Sequence, residues 1–337
     1  MRPRVIVDPC FRSMEEIFTP VALDRLGYLA DVVWARDDPM PTDRFLAEVS
    51  SANAVVFGEW RHDRAGLDAG TSLQALLEVA GGHAHPGLDY DECLRRELLL
   101  GSCAPAFGDV VAEMALTLAL TALRGVVRAD GDMRVGRERW LHEGNRNNTS
   151  LFGATIGLVG CGGIASSLQR LLRPFDVDVL GYDPPIPDRI LGERDITPTP
   201  LEEMFEQAEV LFVLAAPTPE NRGLVSASLM ERLQPAQALV IVSRAHLVDF
   251  EALTCLVADS RFKVGIDVYP NEPLPSDHPI RSAEAAICVP HLAGALPSAL
   301  TMIGDMVVDD LEQIFNSRQP TRMQYLQTEN AVGLRQV

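Results

Sequence analysis

Between Thr155 and Asp183 the chain reads TIGLVGCGGIASSLQRLLRPFDVDVLGYD, and no other stretch restricts its fold as closely. The apolar run Ile156 to Val159 has strand character. It ends in Gly160-Cys161-Gly162-Gly163-Ile164-Ala165, after which Ile164, Leu168, Leu171 and Leu172 recur at the spacing of one helix face. A second strand, Val177 to Tyr182, ends in Asp183. Strand, glycine turn, helix and a strand tipped by an acid form the layout of a dinucleotide-binding unit. Gly160 permits the tight turn, Gly162 lets a pyrophosphate approach the backbone, and the methyl of Ala165 is small enough for helix and strand to pack. The helix start offers phosphate the amides of Gly163 and Ile164 and the positive end of its dipole. Asp183 stands 21 positions after Gly162, near the spacing at which a carboxylate reaches the ribose hydroxyls. A carboxylate there repels a 2′-phosphate, so NAD is expected rather than NADP.

At 337 residues, 47% hydrophobic and 23% charged, the chain has the size of two domains with their own cores. Its net charge of −18 disfavours nucleic acid and anionic membrane surfaces as partners, although one arginine in a cleft can still hold an anionic substrate. Six scattered cysteines with no Cys-x-x-Cys pair point to reduced thiols and the cytoplasm. No secretory leader is expected, because Met1-Arg2-Pro3 leads straight into an apolar strand. The longest apolar stretch, Met114 to Leu123, is too short to span a bilayer.

Residues 1 to about 105 read as a small α/β unit. Its strands are expected at Val5–Val7, Val32–Trp34, Ala54–Phe57 and Leu76–Val79, with helices at Met14–Leu26 and Thr42–Ser51. Behind the fourth strand lies Gly81-Gly82-His83-Ala84-His85-Pro86, where α/β sheets bind ligands. Two histidines share this loop, but no third ligand follows at fixed spacing, so no metal is expected. Trp60, just after a strand, is a candidate for the edge of the cleft or for an interface. Asp109 to Arg124 reads as a buried helix joining two domains, and Arg128 to Ser150 as a solvent-edge helix and a polar loop. Strands at Val210–Leu214, Ala238–Val242, Lys263–Asp267 and Ala286–Val289 alternate with helices at Ser226–Leu233 and Phe250–Ser260, which predicts a parallel, doubly wound sheet. Pro297 opens a last helix to about Phe315, and the tail from Thr321 has no periodicity that places it.

Three charged residues follow three of these strands. Arg244 comes after Ala238–Val242, Asp267 and then Glu272 after the strand from Lys263, and His291 after Ala286–Val289. Each alone reads as an ordinary surface or turn residue. Together they lie along the carboxyl edge of one parallel sheet, beside the nucleotide turn. Hydride transfer to a 2-oxo acid leaves an alkoxide that needs a proton, and histidine titrates near working pH. A carboxylate at Glu272 would orient that imidazole, and Arg244 could hold the substrate carboxylate by a bidentate pair.

With these residues the chain resembles the D-isomer-specific 2-hydroxyacid dehydrogenases, over roughly Leu76 to Gln313 and most strongly from Thr155. Val111-Ala112-Glu113 looks like that family's interdomain helix, GLVGCGGIA its nucleotide turn, and Tyr182-Asp183-Pro184 its ribose-binding acid. Pro217-Thr218-Pro219-Glu220-Asn221-Arg222-Gly223, next to Ala216, is similar to the loop beside the cofactor. Ser243-Arg244-Ala245 resembles the segment of the substrate-binding arginine. Gly265 to Pro275 resembles the segment whose Asp, here Asp267, meets the nicotinamide carboxamide and whose Glu, here Glu272, pairs with the acid/base histidine, here His291.

The resemblance implies two Rossmann-like domains. An NAD-binding domain at 106–296 is inserted into a smaller substrate domain, 1–105 plus 297–337. It also implies a homodimer through the nucleotide domain, and a substrate carboxylate bound by Gly82 and the amides of His83 and Ala84 together with Arg244. The expected reaction is NAD-dependent interconversion of a 2-oxo acid and a D-2-hydroxy acid.

The chain departs from the family at several positions. Ile241 and Ala245 stand where the family often has Asn and Gly around the arginine. Leu296 and Ser298 stand where Thr and Glu often follow the histidine. These changes and the bulky histidine loop point to a substrate pocket unlike that of the common glyoxylate or phosphoglycerate enzymes. Two alternatives fit the same motifs: an NAD(H)-sensing interaction protein, or a dehydrogenase of another small anion such as phosphite. Glu272 argues against formate.

Overall fold

Strand and helix alternate along the whole chain in the computed structural model, which describes residues 2–326 other than His83, Ala84 and Pro86. Five strands come first: β1 (Arg4–Asp8), β2 (Asp31–Trp34), β3 (Ala54–Phe57), β4 (Ala75–Glu78) and β5 (Leu99–Ser102). Seven follow: β6 (Thr155–Val159), β7 (Asp178–Tyr182), β8 (Thr197–Pro198), β9 (Val210–Val213), β10 (Ala238–Ile241), β11 (Lys263–Ile266) and β12 (Ala286–Cys288). A short strand, β13 (Gln324–Tyr325), comes last. The chain divides into two compact units, Met1–Phe107 with Ala295–Val337, and Gly108–Gly294.

In the first unit the strands lie in the order β13-β5-β4-β3-β1-β2, with β1 to β5 parallel. This is the doubly wound order in which the chain steps outward from β1 to both sides. The chain's end adds β13 as an antiparallel edge strand beside β5. The helix expected over Met14–Leu26 is two helices, Met14–Ile17 and Pro20–Leu29. Phe18 closes the first and Thr19 caps the second: the Oγ1 of Thr19 accepts from the amide of Ala22, and Pro20 fits the first helical turn.

The helix Pro297–Phe315 carries buried Leu300, Ile303, Val307, Leu311 and Ile314 on one stripe. They join Val5, Val7, Val56 and Leu77 from one face of the sheet. Each side chain of this size contributes about 1.5–3 kcal/mol when fully buried, so this stripe fixes the chain's end to its beginning. Trp60 lies in the core on the other face, 5% exposed, edge-on to Phe45 and Phe57, with its Nε1 donating to the carbonyl of Asp63. It is therefore a packing residue of the first unit's core.

The second unit has the order β12-β11-β10-β9-β6-β7-β8, parallel throughout. Strands β9 and β10, Val-Leu-Phe-Val and Ala-Leu-Val-Ile, are buried at every position, as strands covered on both faces must be. The helix Gly108–Arg124 packs on β10, β11 and the helix Gly163–Leu172. It comes close because its buried face is rich in alanine and because Gly265 has no side chain; a Cβ there would lie 2.8 Å from Cβ of Leu118. The helix expected over Ser226–Leu233 forms only at Ala227–Met230. The helices Asp188–Gly192 and Leu201–Gln207 and strand β8 complete the windings. No single helix among the described residues is long and apolar enough to cross a membrane.

One buried carboxylate ties down the end of the described chain. Asp310 has no exposure. Its Oδ1 accepts from the amides of Thr321 and Arg322, each at 2.9 Å. Its Oδ2 accepts from the amide of Met323 at 2.7 Å and the hydroxyl of Tyr325 at 3.0 Å. Replacing Asp310 by alanine strands these donors, of which the Met323 amide is buried and the others partly so, so urea unfolding should report a loss of about 3 kcal/mol, with Asp310→Asn retaining part of it. Wild-type stability in Asp310→Ala would contradict this account of β13.

Candidate active site

At the end of β6 the chain must turn beside the end of β9. Gly160 does so with φ +95°, and a Cβ on it would fall on the backbone of Ala215. No other residue suits both the dihedral and the space. Gly162 and Gly163 face open space, where an added Cβ meets nothing within 4 Å. The helix Gly163–Leu172 starts there, and no side chain caps it. Ala165 is buried where the helix meets the sheet. Asp183, at the tip of β7, is half-buried, and its Oδ2 accepts from the amide of Cys161 at 2.7 Å. Burial raises this carboxyl above its ordinary value, against the pull of that amide and of Arg194.

The next three strand ends hold the remaining candidates. Behind β9, Ala216 and Pro217 enter a turn organised by Asn221. The Nδ2 of Asn221 donates to the carbonyl of Ala216 at 2.8 Å, and its Oδ1 accepts from the amide of Thr218 at 2.9 Å. Behind β10, Ser243 is buried, and its Oγ has no hydrogen-bond partner. Arg244 follows as an exposed side chain whose Nη1 donates to the carbonyl of Ser243 at 2.8 Å.

Behind β11, Asp267 has no exposure. Its Oδ1 accepts from the amide of Leu292 at 2.7 Å, and both oxygens reach the amide of Ala293. Burial raises this carboxyl, and the two amides and His291 offset part of the rise.

His291, behind β12, has a left-handed backbone with φ 51°, and its amide donates to the carbonyl of Asp267 at 2.9 Å. Its Nδ1 lies 2.6 Å from Oε2 of Glu272, whose Oε1 accepts from the amide of Tyr269 at 2.9 Å. Burial acts to raise the Glu272 carboxyl. The hydrogen bonds from His291 and Tyr269, with the charges of His291 and Arg244, outweigh it and hold the group below its ordinary value. An ionised Glu272 accepts a proton bond from Nδ1, which leaves Nε2 as the ring's outward nitrogen. Arg244, Asp267, Glu272 and His291 thus occupy the same edge of three adjacent strands.

A dinucleotide fits this edge. The glycine turn is open where a pyrophosphate would lie, the helix above it is uncapped, and the buried hydroxyl of Ser243 lacks a partner. Among the described residues no group of three His, Cys, Asp or Glu side chains could hold a metal.

The other candidate cluster belongs to the first unit. His83 and Ala84 lie outside the described residues. Gly82 donates its amide to Oε2 of Glu78 at 3.0 Å, and Gly81 donates to Oε1 of the same carboxylate. His85 is buried, edge-on to Phe57, with its Nε2 3.1 Å from the carbonyl of Gly82. Glu78 escaped the sequence reading. The signal was an acid inside the apolar run Leu76-Leu77-Glu78-Val79, just before two glycines.

A glycine turn of this form on a sheet of this order defines a dinucleotide-binding protein. The model of the D-isomer-specific 2-hydroxyacid dehydrogenase NAD-binding domain matches residues 116–293, just over half of the chain. A phosphoglycerate oxidoreductase from Rhizobium etli has the same fold with a TM-score of 0.85 and 31% identity, over 97% of this chain and 99% of that one. A glyoxylate reductase of Korarchaeum cryptofilum is 26% identical over 92% of each chain. The NADPH-dependent glyoxylate/hydroxypyruvate reductase of Sinorhizobium meliloti, solved with NADP and malonate, aligns with a TM-score of 0.71 and 26% identity, over 98% of each chain. The chain belongs to the D-isomer-specific 2-hydroxyacid dehydrogenase family, whose cofactor is a nicotinamide dinucleotide.

Burial pushes Glu78 up to about 7, against the bonds from Ser102 and the amides of Gly82, Gly81 and Ala80. Its folded value exceeds its unfolded one, so its contribution is full below the ordinary carboxylate range and is lost as pH rises towards 7. Stability should fall with a slope of up to about 1.4 kcal/mol per pH unit across that window, and Glu78→Gln should flatten it. Urea unfolding from pH 4.5 to 8 reads both; an unchanged slope in the variant would rule Glu78 out as the source.

Proposed function

We propose that the protein interconverts a 2-oxo acid and a D-2-hydroxy acid with NAD, using His291 as acid/base, Glu272 as its partner and Arg244 as the carboxylate anchor. The observation that carries this reading is the 2.6 Å bond between Nδ1 of His291 and Oε2 of Glu272, at the strand edge that continues from the glycine turn. The relatives named glyoxylate reductase and phosphoglycerate oxidoreductase support the substrate class.

Gly160, Gly162, Gly163 and Ile164 would hold the pyrophosphate and Asp183 the ribose hydroxyls. Ala216, Pro217, Asn221, Ser243, Asp267 and His291 would border the nicotinamide half. When bound, the dinucleotide gives or takes the hydride. In reduction, Arg244 pairs with the substrate carboxylate and polarises the neighbouring carbonyl. His291 keeps its Nδ1 proton on Glu272 and gives its Nε2 proton to the carbonyl oxygen as the C–H bond forms at C2. The C=O double bond becomes a single bond, and the imidazole ends neutral. In oxidation the same nitrogen takes the proton back. Asp183 favours NAD, because a 2′-phosphate would meet a carboxylate already fixed on Cys161.

We further propose a homodimer formed through the second unit. Val126, Val127, Met133, Val135, Trp140, Leu141 and Phe152 are all exposed within one short stretch, Leu141 at 83%. Crowded apolar exposure of this kind usually marks a covered face. The six cysteines are all unpaired, which fits a reducing compartment, and the cytoplasmic fraction is where the protein should be found.

His291→Ala should lower kcat for reduction of 2-oxo acids by about 10²–10⁴-fold while NADH still binds, with NADH preferred over NADPH in the wild type. Unchanged turnover in the variant would remove the mechanism. Sedimentation equilibrium should return twice the 36.8 kDa chain mass, and Trp140→Glu with Leu141→Glu should return the single chain. A monomeric wild type would remove the dimer.

A further inference from the structure

Beside Arg244 the second unit contains a cavity of about 610 Å³, within the range of roughly 300–1,000 Å³ typical of small-molecule sites. Arg222, Arg244 and His246 contribute its polar wall, and Val248, Phe250 and Tyr269 its apolar one. None of the cofactor candidates lines it. The segment from Arg222 runs directly beside the segment that follows Arg244. The amide of Gly223 donates to the carbonyl of His246, the amide of Val225 donates to that of Leu247, and Val225 bridges Val248 in parallel. Chains paired in this way lie about 5 Å apart, so the two arginines share one wall.

His246 ties the segments together. Both amide groups of Asn221 have their orientation set by Ala216 and Thr218, so Nε2 of His246 donates to Oδ1 of Asn221 at 3.2 Å. Burial and the charge of Arg222 hold this imidazole below its ordinary value, with Arg244 adding to them against a bond to the Thr218 carbonyl. Both guanidiniums are therefore close enough to be felt at one ring.

Among the described residues neither arginine forms an ion pair, although the charge of Arg244 reaches the Glu272 carboxylate. Arg222 makes no ion pair or hydrogen bond among the described residues, and Arg244 bonds only the carbonyl of Ser243. This is unexpected in a chain with 47 acidic and 29 basic residues. Asp249 also lines the cavity, but its Oδ1 caps the helix Phe250–Ala258 through the amide of Ala252. Two guanidiniums without an ion pair, over an apolar floor, match a short carbon chain with an anion at each end.

We propose that the cavity receives a second anionic group of the substrate, a carboxylate or a phosphate, held by Arg222 while Arg244 holds the 2-oxo carboxylate. This rests on the reading of Arg244 given above and narrows the substrate to a dianionic 2-hydroxy or 2-oxo acid. The side chain of Arg222 sets the preference, and His246 positions it by fixing the turn from Thr218 to Gly223.

Calorimetric titration of the NAD⁺-loaded protein tests this without turnover, since no hydride is available to reduce a 2-oxo acid. Three probes are compared: 2-oxoglutarate, 3-phosphohydroxypyruvate and 2-oxopentanoate, which has the chain length of the first without its distal carboxylate. In the wild type at least one dianion should bind about tenfold or more tighter than 2-oxopentanoate, and which one does so separates carboxylate from phosphate. In Arg222→Gln that ratio should drop below about threefold, with Arg222→Lys between the two.

A wild-type ratio near one for both dianions, or a ratio that survives in Arg222→Gln, overturns the inference. Inorganic phosphate bound through Arg222 while neither dianion is preferred also overturns it, because the site would then serve a free anion. The reading of Arg244 fails separately, if Arg244→Gln leaves the affinity for 2-oxopentanoate unchanged.

Discussion

Strands buried on both faces have no room for chemistry along their length. In β9 and β10 every side chain is apolar and enclosed, so polar function is displaced to the residues just beyond the strand ends. Gly160, Ser243, Arg244, Asp267 and His291 all lie within three residues of the end of a strand in one parallel sheet. Parallel pairing brings those ends to one edge, and the order β12-β11-β10-β9-β6 sets their sequence along it. The reversal at β6 leaves space above the glycine turn, where the chain steps first to β7 and later to β9.

Asp267 is the exception that holds this edge in shape. A carboxylate without solvent contact is costly unless its oxygens are satisfied. Here the amides of Leu292 and Ala293 satisfy them, which fixes the backbone on the far side of His291. The His291 amide is held on the carbonyl of the same residue. The left-handed backbone at His291 is costly for a side chain with a Cβ, and it persists because bonds on both sides determine it. Asp310 and Glu78 repeat the device: each is a buried acid whose oxygens fix a following segment through its backbone amides. Part of the chain's acidic excess is therefore structural.

The nucleotide turn, the alternation of the second unit and the last helix were legible because each carries a strong periodic or glycine signal. The residues brought to the strand edge were legible because they sit just after apolar runs. The misses have physical causes. Leu98-Leu99-Leu100 continues directly from the helix Tyr90–Arg95, and a short apolar run does not reveal whether it is strand or helix, so β5 went unseen. Leu201, Met204 and Phe205 do mark a helix face, but over only seven residues. Strand β13 has no apolar pattern of its own; a carboxylate 15 residues before Tyr325 ties it down. Trp60 looked like a cleft residue from its place after a strand, yet its indole fills the core instead. Local pattern reports which face of an element is buried; it does not report contacts that a distant side chain completes.

The charges and hydrogen bonds around Glu272 keep its carboxylate as the acceptor of the bond from Nδ1 of His291. Partial burial alone would raise this carboxyl towards neutrality. A protonated Glu272 could offer its own proton to Nδ1 and turn the imidazole's outward nitrogen into a donor of the wrong charge state. The amide of Tyr269 and the guanidinium of Arg244 oppose that by favouring the carboxylate. Because the folded value lies below the unfolded one, the stabilisation from Glu272 is complete above the ordinary carboxylate range and disappears only as pH falls through the lowered value. The carboxylate thus fixes the orientation of the ring through Nδ1 and leaves Nε2 as its outward nitrogen.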